Sequence, residues 1–166
     1  MGRWRPPPPK SSPYITAEGY ASMQQELKDA WVRRRDVVRA LAAAAAEGDR
    51  SENAEYIYRK KELGGIDRRI RYLQKRLPDL NIVRANPNPD KIFFGAWVDL
   101  IDDAGESVRY RIVGADEADA DPAYISIDSP LAQALLKKSV DDEVQIRIAD
   151  QLTRYAINKI DYEAAE

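Results

Sequence analysis

The 166-residue chain carries 26 Lys and Arg against 28 Asp and Glu, a net charge of −2, with 44% hydrophobic and 33% charged residues, which suits one ordinary folded domain or two small ones and argues against a disordered chain. It has no cysteine and no histidine, which excludes disulfides and thiolate metal sites and removes the commonest general base. Chemistry is left to carboxylates, Lys, Arg, Tyr, Ser and Thr, and any metal site to oxygen ligands of the kind that suit Mg²⁺, Mn²⁺ or Ca²⁺.

No apolar run approaches the length of a membrane span and no signal-like apolar stretch follows the start, so a cytoplasmic protein with no membrane partner is expected. The small net charge hides an asymmetry. Residues 14–80 hold 14 basic and 11 acidic groups, whereas residues 81–166 hold 9 basic and 17 acidic. Two parts with different partners are expected.

Residues 1–13, "MGRWRPPPPKSSP", favour extended polyproline II and cannot build a core, so they read as a disordered tail. A helix is predicted from Thr16, a plausible N-cap, with Glu18 in its first turn. Apolar residues then recur at 3-4 spacing: Tyr20, Met23, Leu27, Ala30, Val37, Leu41 and Ala44, with Arg34 at the interrupted position. A second helix repeats the pattern with Tyr56, Leu63, Ile66, Ile70, Leu73, Leu77 and Leu80, and Arg59 takes its missing place. The heptad seam and the break at Gly48 predict an antiparallel coiled-coil hairpin over 14–80, a rod of roughly 45 Å at 1.5 Å per residue. Gly64-Gly65 lies inside the second helix, should cost about 1 kcal/mol per glycine relative to alanine, and predicts a bend or loosened turn.

After Pro78, residues 81–90 read as a linker. Strands follow in "IFFGAWVDLID", "SVRYRIVGAD", "AYISIDSP", "DEVQIRIAD" and "TRYAINKIDYE", with a "DDAGE" hairpin turn, an acidic loop "EADADP" and a short helix "LAQALLKK". This predicts an α+β domain over 91–166, a compact antiparallel sheet with one helix.

The turn "EGDRSENAEY" sets two carboxylates, Asp49 and Glu52, three residues apart. One reading is a capping box, with Asp49 as N-cap of the second helix, Glu52 three residues on and Ser51 a competing cap. The other is that both carboxylates project from the tip and share one Mg²⁺, leaving most of its coordination sphere to water or another molecule. The basic residues divide likewise between solvating the rod and contacting phosphates.

The blocks "GDRSENAEYIYRKK", "IDRRIRYLQKRL", "FFGAWVDL", "RYRIVG" and "YISIDSPLAQALLKK", in this order, closely resemble the Gre family of bacterial transcription elongation factors, from about Pro13 to Tyr162. The resemblance implies a coiled coil that enters the secondary channel of RNA polymerase and an FKBP-like C-terminal domain that docks at the channel rim. It implies that Asp49 and Glu52 help to hold a catalytic Mg²⁺ jointly with the polymerase, whose own site then cuts backtracked nascent RNA. The factor would be an accessory protein, not an enzyme, and a monomer. By the same resemblance Arg50, Arg59, Lys60 and Lys61 are expected to face the RNA 3′ segment, with Arg68, Arg69 and Arg71 further from the tip. Asp128 and Pro130 are carried over as polymerase-docking residues; as plain helix chemistry, Asp128 or Ser129 would instead cap a helix with Pro130 at its first position. Gly64-Gly65 stands where the family has bulkier helix formers. A channel-binding inhibitor of the same fold and a coiled-coil adaptor or chaperone unrelated to polymerase are the competing readings.

Overall fold

The structure is a computed structural model that describes residues 10–48, 53–84 and 90–162. Its contacts divide the chain into a helical unit, Tyr20–Leu80, and a sheet unit formed by the residues up to Gly19 together with those from Asn81 onward.

Strand β1 (Tyr14–Ile15) leads into helix α1 (Ala17–Ala45), and helix α2 (Ala54–Arg76) continues into a 3-10 turn at Leu77–Asp79. Thr16 caps α1 as expected, its Oγ1 accepting from Gly19 N at 3.0 Å. Every predicted seam position is buried or half-buried, from Met23, Val37 and Ala44 on α1 to Ile70 and Leu73 on α2. Val37 and Leu73 are fully enclosed. The polar seam residue Arg34 pairs with Asp67 at 2.7 Å. With Arg69–Glu26 at 2.6 Å and Arg33–Glu62, these links join late residues of one helix to early residues of the other, so the arms run antiparallel. Twenty-nine residues of α1 span about 44 Å.

The loosened turn expected at Gly64-Gly65 is not found. Helical structure runs through both glycines without interruption. Half-buried Leu63 and Ile66 flank the pair on the seam, and this packing outweighs the intrinsic glycine penalty.

In the sheet unit, β2 (Asn81–Ile82) pairs in parallel with β1, Tyr14 opposite Asn81 and Ile15 opposite Ile82. A five-stranded sheet follows from β3 (Trp97–Asp102), β4 (Ser107–Val113), β5 (Tyr124–Ser126), β6 (Glu143–Ile148) and β7 (Gln151–Asp161), in the order β5-β4-β3-β7-β6. Helix α3 (Pro130–Leu135) lies between β5 and β6 in the chain. Ile92, Val98, Leu100, Ile112, Ala132, Leu135, Val144 and Ile157 form the core. A register shift opposite Asp99/Leu100 lets Ile157 and Ile160, three residues apart on β7, both join that core.

Two expectations for this unit change. The sheet is mixed, because β4 and β5 are parallel while the other three pairings are antiparallel. The acidic connection holds a 3-10 turn at Ala118–Ala120 and acts as a crossover, which parallel neighbours require in place of a tight hairpin. The strand expected from Ile92 begins only at Trp97, because Gly95 takes a φ of +87° and breaks the extended run.

Ordered structure also reaches further towards the N-terminus than the tail predicted over 1–13. Pro13 O accepts from Asn81 N at 2.7 Å, and Ile15 O from Val83 N at 2.9 Å. By their contacts, the described residues up to Gly19 group with the sheet unit. The anchor is Glu117, 7% exposed. Its carboxylate accepts from Thr16 N at 2.7 Å, from Thr16 Oγ1 and from Gly114 N at 3.1 Å, so each buried donor is satisfied.

Candidate functional site

The hairpin end is built from Gly48 and Asn53. Gly48 has a φ of +131°, a backbone region that only glycine enters freely, and the last turn of α1 closes through Glu47 N to Ala44 O at 3.2 Å. Across the turn, Asn53 Oδ1 accepts from Tyr56 N at 3.1 Å and so caps α2, while its Nδ2 donates to Ala44 O at 2.8 Å. One amide thus satisfies an orphan donor at the start of one helix and gives a second donor to a carbonyl in the last turn of the other.

This corrects the capping box. The N-cap of α2 is Asn53, where Asp49 or Ser51 was expected, because α2 begins at Ala54 and the Asn53 side chain accepts from Tyr56 N. Asp49, Arg50 and Glu52 lie outside the described residues. Capping therefore no longer accounts for the spacing of the acidic pair. Sequence reading missed Asn53; its signal was an ordinary one, a good N-cap residue three positions before Tyr56.

The basic residues differ in their surroundings. Arg59 is half-buried in the seam and pairs with Glu55 at 2.9 Å and Glu62 at 3.1 Å. The hydrogen bond to Glu55 leads in raising its pKa above the ordinary value, against a smaller loss from burial. Its guanidinium also lies 5.6 Å from the Tyr58 ring centroid. Lys60 and Lys61 are exposed on the same turn. Charge on Lys60 and Lys61 is thus presented to solvent, whereas that on Arg59 is largely engaged by its own helix.

On the sheet unit, Ser129 caps α3 by accepting from Ala132 N at 3.2 Å, and Pro130 occupies the first turn. Asp128 is not the cap. It is exposed, its N donates to Ser126 Oγ at 3.1 Å, and its carboxylate accepts from Ser12 N at 2.9 Å and from Ser12 Oγ.

Residues 13–82 match the family described as Transcription elongation factor, N-terminal, and residues 86–162 that described as Transcription elongation factor, GreA/GreB, C-term. The chain belongs to the GreA/GreB family. Its similarity to transcription elongation factor GreB of Xanthomonas axonopodis pv. citri (strain 306) is 59% identity over 165 residues, covering 98% of each chain. GreB of Pseudomonas aeruginosa is 50% identical, with 99% of each chain covered, and GreB of Pasteurella multocida is 53% identical over 92% of this chain and 98% of its own. As a Gre factor the protein is an accessory transcription elongation factor rather than an enzyme in its own right, and RNA polymerase is the partner that membership of the family implies. Among the described residues, no helix is long and apolar enough to cross a membrane.

Proposed function

We propose that this Gre factor inserts its hairpin tip into the secondary channel of RNA polymerase and stimulates the polymerase's own cleavage of backtracked nascent RNA. The observation that carries this reading furthest is the cap at Asn53. It removes the helix-start explanation for Asp49 and Glu52 and leaves an acidic pair at the end of a slim rod. Two carboxylates are the right donors for Mg²⁺ but too few to hold it unaided, which favours joint binding with a partner that already has ligands. A bound Mg²⁺ would stabilise the charge developing on oxygens in an in-line phosphoryl displacement.

In this reading Asp49 and Glu52 supply the missing ligands and orient the attacking water. Arg50, Lys60 and Lys61 face the phosphates of the RNA 3′ segment, a contact that is salt-sensitive and blind to sequence. Arg59 is the weaker candidate, because Glu55 and Glu62 already neutralise it. Asp128 and Pro130 dock the sheet unit at the channel rim, and the factor acts as a monomer.

Purified backtracked elongation complexes with Mg²⁺ test this reading. The expected result is factor-dependent release of 3′ RNA fragments, abolished by Asp49→Ala combined with Glu52→Ala. Cleavage that is absent, or indifferent to the double substitution, refutes it. Slowed nucleotide addition without cleavage would point instead to an inhibitor.

A further inference from the structure

We propose that Ser12 is a positioning residue for polymerase docking, acting through Asp128. The inference rests on the reading of Asp128 as a docking residue and extends it to a residue 116 positions away in the chain.

The N-terminal segment is fastened immediately after Ser12. Pro13 O and Ile15 O accept from Asn81 N and Val83 N, Ile15 is fully buried, and Thr16 is held by Glu117. The Tyr14 carbonyl lies so close over Gly114 that a Cβ there would sit 2.0 Å from its oxygen. Ser12 is thus one residue from a rigid anchor, and placing it costs little further entropy.

The Asp128 backbone is equally fixed. Neighbouring Ile127 is buried and donates its N–H to Val113 O at 2.8 Å, Ser129 N donates to Ser126 O at 2.9 Å, and Asp128 N donates to Ser126 Oγ. The exposed carboxylate, however, would be free to rotate without the two donors of Ser12. Those donors take one acceptor site on each oxygen. A carboxylate offers about four such sites, so acceptor capacity remains for a cationic or N–H group of the polymerase. Ser12 therefore orders the side chain before docking and leaves it competent to bind.

The test measures cleavage of backtracked complexes as a function of factor concentration. Ser12→Pro removes both the N–H and the hydroxyl, Ser12→Ala removes the hydroxyl alone, and Ser12→Thr keeps both. The half-saturating concentration should rise about three- to tenfold in Ser12→Pro, the scale of ordering one side chain on binding. It should rise less in Ser12→Ala and return to wild type in Ser12→Thr, while the rate at saturation stays unchanged in all three. In an Asp128→Ala background the Ser12 substitutions should have no further effect. A half-saturating concentration that is unchanged or lower in both Ser12→Pro and Ser12→Ala overturns the proposal while leaving Asp128 as a docking residue. An Asp128→Ala protein that docks like wild type removes the docking reading, and the Ser12 proposal with it. Should Ser12→Pro disturb folding and lower the saturated rate, the Ser12→Ala and Ser12→Thr pair decides.

Discussion

Asn53 Nδ2 donates to Ala44 O at 2.8 Å while the Oδ1 of the same amide accepts from Tyr56 N, so a single side chain caps one arm of the hairpin and ties it to the last turn of the other. Asn53→Ala should destabilise the helical unit by about 1–2 kcal/mol, the usual effect of a lost N-cap. Asn53→Asp retains the acceptor and loses the donor, and should fall between the two. Urea unfolding followed by helical circular dichroism measures both. Cleavage stimulation should drop in parallel if the bridge holds the tip residues in place.

Replacing Gly64 or Gly65 by alanine should stabilise the protein. Neither glycine needs its conformational freedom: α2 is helical through both, and an added Cβ would meet only the Arg68 guanidinium, at 3.5 Å from residue 64 and 3.8 Å from residue 65. Each substitution is expected to gain up to about 1 kcal/mol, seen as a higher thermal midpoint. If the polymerase channel needs a compliant rod, the stabilised double variant will be the less active one.

The two-residue β6–β7 turn is made by Ala149 at φ 48° and Asp150 at φ 66°. Both lie in the left-handed region that favours Asn and Gly in hairpins of this type. Exchanging the pair for Asn-Gly should add about 1 kcal/mol of stability, whereas Ala149→Val should subtract at least as much. Denaturant midpoints of the two variants should move in opposite directions.

Thr16 and Glu117 make a coupled prediction with Gly19. Glu117→Ala leaves the buried Thr16 N–H without its partner and should cost about 1–3 kcal/mol. Gly19→Ala would place a Cβ 2.6 Å from Glu117 Oε1 and should destabilise the wild type. In the Glu117→Ala background that clash is gone, and the same Gly19→Ala change should be neutral or favourable through helix propensity. A double-mutant cycle in thermal unfolding should therefore be strongly non-additive.

Acid sensitivity should follow Asp161. Burial works to raise its pKa, but hydrogen bonds from Arg109 and Lys159 outweigh it and hold the carboxyl below its ordinary value. A carboxylate depressed in the folded state stabilises above its unfolded pKa, and that contribution disappears as pH falls through the folded value. Asp161→Asn should thus be less stable than wild type at neutral pH, by less than about 1 kcal/mol for so exposed a cluster. The difference should vanish well below pH 4. Chemical denaturation at the two pH values checks it.

The hairpin was legible in the sequence because heptad spacing is a local code: Met23, Val37, Ile70 and Leu73 are buried where their 3-4 rhythm puts them. Caps were legible in kind and only partly in place. Thr16 caps α1, yet Asn53 displaced Asp49 and Ser129 took the position open to Asp128, since several good capping residues in a row differ by only tenths of a kcal/mol. Strand direction was legible for three of the four pairings, and the parallel β4–β5 pairing escaped. Alternation in "AYISIDSP" marks a strand but says nothing of whether it runs with or against Arg111, Ile112 and Val113. The Thr16–Glu117 and Ser12–Asp128 bonds span 101 and 116 positions, and no local pattern encodes such a pairing.

The short β1–β2 ladder has a practical meaning. With Ile15 opposite Ile82, the two places where the chain leaves and re-enters the sheet unit are neighbouring strands, about 5 Å apart. In this respect the whole helical unit is an insertion into a discontinuous domain whose seam is already stitched shut. Shortening such an insertion, or lengthening it by whole heptads, should therefore leave the sheet unit folded. Reach and attachment can accordingly vary as independent characters in one polypeptide.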